Sequence, residues 1–236
     1  MIKHIHEFSF TMGESKVHIK CDNEEAIKAA VKEMKRHRKR LVEYIKEHPE
    51  FRYALKPIAS SQKAPKIVQL MTAASTAANV GPMASVAGAL ADIGLECMLR
   101  MNARIAVVEN GGEIATFTEE PIIVSIFSNS PVLSSKIGFR LTREDCPIGV
   151  ATSSSKSSRI ISFGEADSVT VVTDKASLAD AAATAICNSV VGEDVKESIR
   201  RGLEKAKTIE GVRGVLIIRE DDSGLWGNLP QIVKIV

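Results

Sequence analysis

The chain has 236 residues, with 31 Lys and Arg against 29 Asp and Glu, 44% hydrophobic residues, 4% aromatic residues and four cysteines. That length buries a sizeable core, and the balance of apolar and charged residues excludes a disordered chain. A formal net charge of only +2 removes any global electrostatic argument for a nucleic-acid or membrane-surface protein.

The first residues, MIKHIHEFSF, lack the apolar stretch of a secretory signal. Cys21, Cys97, Cys146 and Cys187 are widely spaced with no C-x-x-C pair, so they read as free thiols of a cytoplasmic protein. Residues 2–10 and 16–20 predict a β-hairpin that turns at Gly13. Asp22-Asn23 offers a helix N-cap, and Glu24 and Glu25 place negative charge where the helix dipole favours it. The helix is expected to reach His48, ahead of Pro49, on a stripe of Ile27, Val31, Met34, Leu41 and Ile45.

The same helix carries Lys35-Arg36-His37-Arg38-Lys39-Arg40, which reads as a solvated face partly balanced by Glu33, Glu43 and Glu47. No aromatic residues interleave it as a single-strand binder would need, so nucleic acid is not an expected partner. A short strand is expected at 51–55, a helix opening at Pro65 and ending near Asn79, and a second helix from Gly81-Pro82 to about Met101. Residues 69–91 carry no charge but consist mostly of Ala, Ser, Thr, Gly and Asn. A bilayer helix needs roughly twenty predominantly apolar residues, so the run reads as buried helices packed through small side chains, with no membrane partner.

Strands follow at 104–108, 113–117, 122–127, 136–142, 148–151 and 168–173, the first two linked by the hairpin signal Asn110-Gly111-Gly112. Helices return at 177–188 and 194–207, and strands at 212–219 and 231–236 close the chain around Asp221-Asp222-Ser223-Gly224. The order predicts an α+β fold, a mainly antiparallel sheet backed by helices, with two β-β-α-α-like halves. No long Gly-, Pro- or Ser-rich linker divides it, so a single domain over 1–236 is expected.

Motifs of Walker, Rossmann, esterase and zinc-protease type are absent. His4, His6 and His18 would line one face of the hairpin in some registers and there bind a divalent metal. The segment Thr152-Ser153-Ser154-Ser155-Lys156-Ser157-Ser158 follows an apolar strand and offers hydroxyls and N–H groups to an anion. Asp180 and Thr184 are one helical turn apart, hard oxygen ligands adequate for Mg²⁺ when phosphate oxygens complete its shell.

Taken in order, Gly88-Ala89-Leu90-Ala91-Asp92, Glu109-Asn110-Gly111-Gly112-Glu113-Ile114, Ala151-Thr152-Ser153 and Ala179-Asp180-Ala181-Ala182-Ala183-Thr184-Ala185 resemble the ApbE superfamily. These are flavin transferases that move FMN from FAD to a protein threonine. The resemblance spans about residues 82–188 and is closest to a short branch of the superfamily found in archaea and bacteria. It implies a duplicated T-fold and a site for FAD or FMN with Mg²⁺. Asp180 and Thr184 would hold the metal, and Asp92, Asn110, Gly111, Gly112, Glu113, Thr152, Ser153 and Ser154 would face the nucleotide.

The chain departs from the family's pattern in three places. Glu113 stands for the family's Asp, Ala87 stands where a lysine precedes the helix glycine, and residues 154–167 replace a longer segment with an H-x-x-D-P motif. No catalytic residue is therefore assigned, and the implied activity is nucleotide binding with FMN-transferase-type chemistry as its extension. A reading of another class is a non-catalytic accessory protein of sulfur assimilation, in cysteine and homocysteine formation, to which this branch has been linked. Its helices around residues 73–90 would pack a core or a homodimer, a protein partner would dock, and Cys146 would be the thiol. A third is a polyanion-binding module using the basic run.

Overall fold

The computed structural model describes residues 4–126, 137–155 and 164–235. Strands β1 (His6–Met12) and β2 (Ser15–Cys21) form the expected hairpin. Helix α1 (Glu24–Glu47) opens on Asn23, whose side chain accepts the Ala26 N–H at 3.2 Å. It buries Ala26, Ile27, Ala30, Met34, His37 and Leu41, a stripe at three- and four-residue steps. Residues Glu50–Tyr53 form a short helix, α2, where a strand was expected, because Pro49 supplies a helical φ at its start.

Helix α3 (Lys66–Ala78), the turn Pro82–Ser85 and helix α4 (Val86–Arg100) follow. Then come β3 (Ile105–Asn110), β4 (Glu113–Thr118), β5 (Ile122–Ser125), β6 (Ile137–Leu141), β7 (Ile148–Ser153) and β8 (Ser168–Thr173). Helices α5 (Ala176–Cys187) and α6 (Val195–Lys207) lead into β9 (Val212–Arg219), β10 (Asp222–Gly227) and β11 (Gln231–Lys234). Residues 127, 136 and 156–158, to which the predicted strands and the serine-rich segment extend, lie outside the described residues.

Eight strands form one antiparallel sheet in the order β1-β2-β3-β4-β7-β8-β9-β10. Each half of it sets helices between two hairpins, α1 to α4 within β1β2…β3β4 and α5 and α6 within β7β8…β9β10, as the mainly antiparallel, duplicated reading expects. The predicted closing hairpin is corrected. Residues 222–227 make the additional strand β10 against β9, and β11 leaves for a small sheet, β11-β6-β5. That small sheet covers the face of the main sheet carrying Ile114, Val150, Val172, Leu216 and Ile218.

The helices cover the other face, with α4 and α5 side by side above the β4–β7 junction. The run Pro82–Arg100 is long and apolar enough to cross a bilayer, yet 61% of its most apolar stretch is buried inside the fold, as in a core helix. Small residues let these layers close. A Cβ on Gly88 would lie 2.2 Å from the Ala176 carbonyl oxygen, and one on Gly149 would lie 2.2 Å from the Ala176 nitrogen. The first residue of α5 is therefore wedged between α4 and β7.

Gly149→Ala is expected to destabilise the fold by about 1–3 kcal/mol, since the clash is with backbone that cannot rotate away. Urea denaturation of the two proteins measures it, and an unchanged midpoint contradicts the wedge.

Candidate functional site

The N-terminal ends of α4 and α5 meet, and each is answered by an aspartate of the other. Asp92 of α4 accepts the N–H groups of Ala176 and Ser177, at 2.8 and 2.9 Å, in the first turn of α5. Asp180 of α5 accepts the Gly88 N–H at 2.9 Å in the first turn of α4. These are N-terminal backbone donors without intrahelical partners, so the carboxylates satisfy them and offset both helix dipoles.

The turn between β3 and β4 sits beside this pair. Gly111 and Gly112 have φ of 74° and 120°, the left-handed backbone that a tight two-residue hairpin demands. That turn sets Asn110 opposite Glu113 on the face toward the helices. Asn110 donates its side-chain amide to the Ala87 carbonyl at 2.9 Å, while its buried Oδ1 has no partner. Glu113, only 9% exposed, is pushed up to about 7 by burial and by repulsion from Glu109. Burial also raises Asp180, joined by repulsion from Glu113 and Asp92, and the bonds from the α4 backbone offset part of this. Burial raises Asp92 as well, against the two bonds from α5.

Strand β7 ends on the same side. Ala151 packs into the helix layer, and by alternation Ser153 faces that way, its buried Oγ without a partner. Thr152 points to the opposite face, where its hydroxyl bonds that of Thr170 at 2.9 Å, so its side chain does not join the others. Ser154 is half-buried and engaged within the protein. Along α5 the alanines are buried, whereas Asp180, Thr184 and Asn188 form a half-buried polar stripe at four-residue steps. The chain returns to that helix at Gly164, packed on the Cys187 carbonyl.

The donor set fits a hard divalent cation: an aspartate, a hydroxyl one turn away, a buried glutamate and an unpartnered amide oxygen. Among the described residues no three His, Cys, Asp or Glu side chains gather into a group that could hold a metal ion by itself. The histidine site is not formed. His6 pairs with Cys21 and His18 with Ser9, which puts the two rings on opposite faces, and His18 bonds Ser9 Oγ at 2.7 Å. Cys146 is half-buried, and burial pushes its thiol up, away from nucleophilic character. Sequence reasoning found both aspartates but not their partners, because nothing local says that α4 and α5 touch at Gly88.

This antiparallel sheet of two halves backed by helices is a fold shared with solved ApbE flavin transferases. The ApbE protein of Thermotoga maritima superposes with a TM-score of 0.64 at 13% identity, covering 95% of this chain and 97% of that one. The flavin transferase ApbE of Vibrio cholerae gives 0.60 at 13%, covering 94% and 96%. The family model described as "AbpE bacteria" matches residues 1–211, and the chain belongs to that family. A UPF0280 protein of Methanocaldococcus jannaschii is 38% identical over 94% of this chain and 90% of its own length. One from Methanosarcina acetivorans is 35% identical over 95% and 88%.

Glu113 gives a pH signature. Below about 4.5 the folded and unfolded states both hold its proton; between there and about 7 only the folded state does, so stability falls as pH rises through that window and levels off above it. Asp180 and Asp92, also raised, act with the same sign. Glu113→Gln is expected to flatten the decline by on the order of 3 kcal/mol. Denaturant titrations at stepped pH measure it, and an undiminished slope contradicts the assignment.

Proposed function

We propose that the chain binds a flavin nucleotide, FAD or FMN, or a related phosphate-bearing ligand, together with Mg²⁺ at the meeting of α4 and α5. The observation that carries this reading is the pair of caps. Both helix N-termini are already occupied by aspartates, so the site is electronegative and a bare phosphate would be repelled. The phosphate-bearing ligand has to enter with a cation, and Asp180 and Thr184 are the residues to hold it. The relatives with this fold that are named flavin transferases support the choice of a flavin.

In this reading the α4 backbone, through the Gly88 N–H, orients the Asp180 carboxylate toward the cation. Asn110, itself fixed on the Ala87 carbonyl, turns its buried Oδ1 toward the ligand, and Ser153 offers a hydroxyl. Gly111 and Gly112 let a ligand approach the backbone. Bound Mg²⁺ would neutralise diphosphate charge. Ala87 presents a methyl group where transfer chemistry would want a cation, so binding is the primary function and FMN transfer to a protein threonine its extension. The four free thiols suit a cytoplasmic setting.

FAD with Mg²⁺ is expected to raise the thermal midpoint, with a stabilisation of about 2.7 kcal/mol at a hundredfold excess over Kd, and FAD with EDTA to leave it unchanged. Asp180→Asn, which keeps an oxygen for the Gly88 N–H, and Thr184→Val should fold normally and lose the shift. Identical melting curves with FAD, FMN and ADP in Mg²⁺ contradict the reading.

A further inference from the structure

The two edges of the eight-stranded sheet are built differently. Strand β10 contains Asp222, Gly224 and Gly227, and α6 lies across it, with Ile199 and Leu203 filling the space above Gly224. Such features blunt an edge. Strand β1 has no glycine and one charged residue, Glu7, which is paired with Lys20. It runs seven residues, HEFSFTM, in unbroken register from His6–Cys21 to Met12–Ser15, with no proline, lysine or arginine. Its helix-side cover falls off toward its start: Met12 is buried and Phe10 half-buried, whereas Phe8 remains 47% exposed.

A groove of about 700 Å³ runs between β1 and α1, walled by Phe8, Ile27 and Val31 and by the charged Glu7, Glu24 and Lys28. It is followed along α1 by a hollow of about 380 Å³ where Lys35, Arg38 and Lys39 border Thr11 and Met12. Lys35 stands over the Phe10 ring, 5.2 Å from its centroid. Among the described residues neither Lys35 nor Arg38 has a carboxylate partner, and Lys39 has Glu43 only at 3.9 Å. The edge thus has apolar and mixed-charge walls at its start and a cationic border at its end.

We propose that β1 takes up an extended segment of a protein partner as an added antiparallel strand. Apolar side chains of that segment would lie over Phe8, Ile27 and Val31. Acidic residues toward its N-terminal end would meet Lys35, Arg38 and Lys39. Main-chain hydrogen bonds supply the affinity of such an addition, and the pockets and charges supply its selectivity. A second copy of this chain fits less well: its β1 carries a single acid, Glu7, already paired with Lys20. The inference is independent of any ligand at the α4–α5 site.

Fluorescence anisotropy on the full chain tests it with a labelled peptide in which an aspartate tract precedes alternating valine and threonine. Binding is expected, and N-methylation of alternate peptide nitrogens should weaken it at least about tenfold. Phe8→Lys and the double variant Lys35→Glu, Arg38→Glu should each weaken it by a similar factor, with circular dichroism and thermal midpoint unchanged. Absence of binding, equal binding of a peptide carrying a lysine tract, or tighter binding of a single-stranded oligonucleotide would overturn the proposal. So would a self-association of the chain that Phe8→Lys abolishes.

Discussion

The exchange of aspartates between α4 and α5 is the contact on which the rest of the molecule turns. Two helix N-termini, each carrying partial positive charge, are pressed together at Gly88 and Ala176. Asp92 and Asp180 make that approach tolerable by accepting the backbone donors each end leaves open. Among the described residues no side-chain cation pairs with either carboxylate, and their burial raises both. A structural cap and a candidate cation ligand are thus the same residue.

Sheet order decides what surrounds that contact. Because β4 lies beside β7, the Asn110–Glu113 turn of the first unit and the end of β7 in the second arrive under the same helix pair. Strand alternation then selects among neighbours. Ser153 faces the helices, and Thr152, one residue earlier, faces the small sheet and Thr170. The same order leaves β1 at one margin and β10 at the other; α6 packs on Gly224 of β10, whereas α1 leaves a groove beside β1.

The basic run on α1 shows how a local pattern divides once folded. His37 is buried, Arg36 is held by Glu33 at 2.5 Å, and Lys35, Arg38 and Lys39 turn toward the hairpin. Six consecutive positions cannot share one helix face, so the run never forms a single cationic surface. Its apparent charge density belongs to three different environments.

Local chemistry was readable from the residues alone. The period-two strands, the Asn23 cap, the Gly111-Gly112 turn and the Asp180–Thr184 spacing all depend on neighbours within a few positions, and the structure has each of them. Pairings between distant segments were not readable, because many registers satisfy the same alternation. Whether His18 meets His6, whether residues 222–227 make a turn or a strand, and which of Thr152 and Ser153 looks at the helices were decided by the sheet. Asp92 and Asp180 lie 84 and 92 positions from their respective partners Ala176 and Gly88, so only the assembled fold shows that they cap each other's helix.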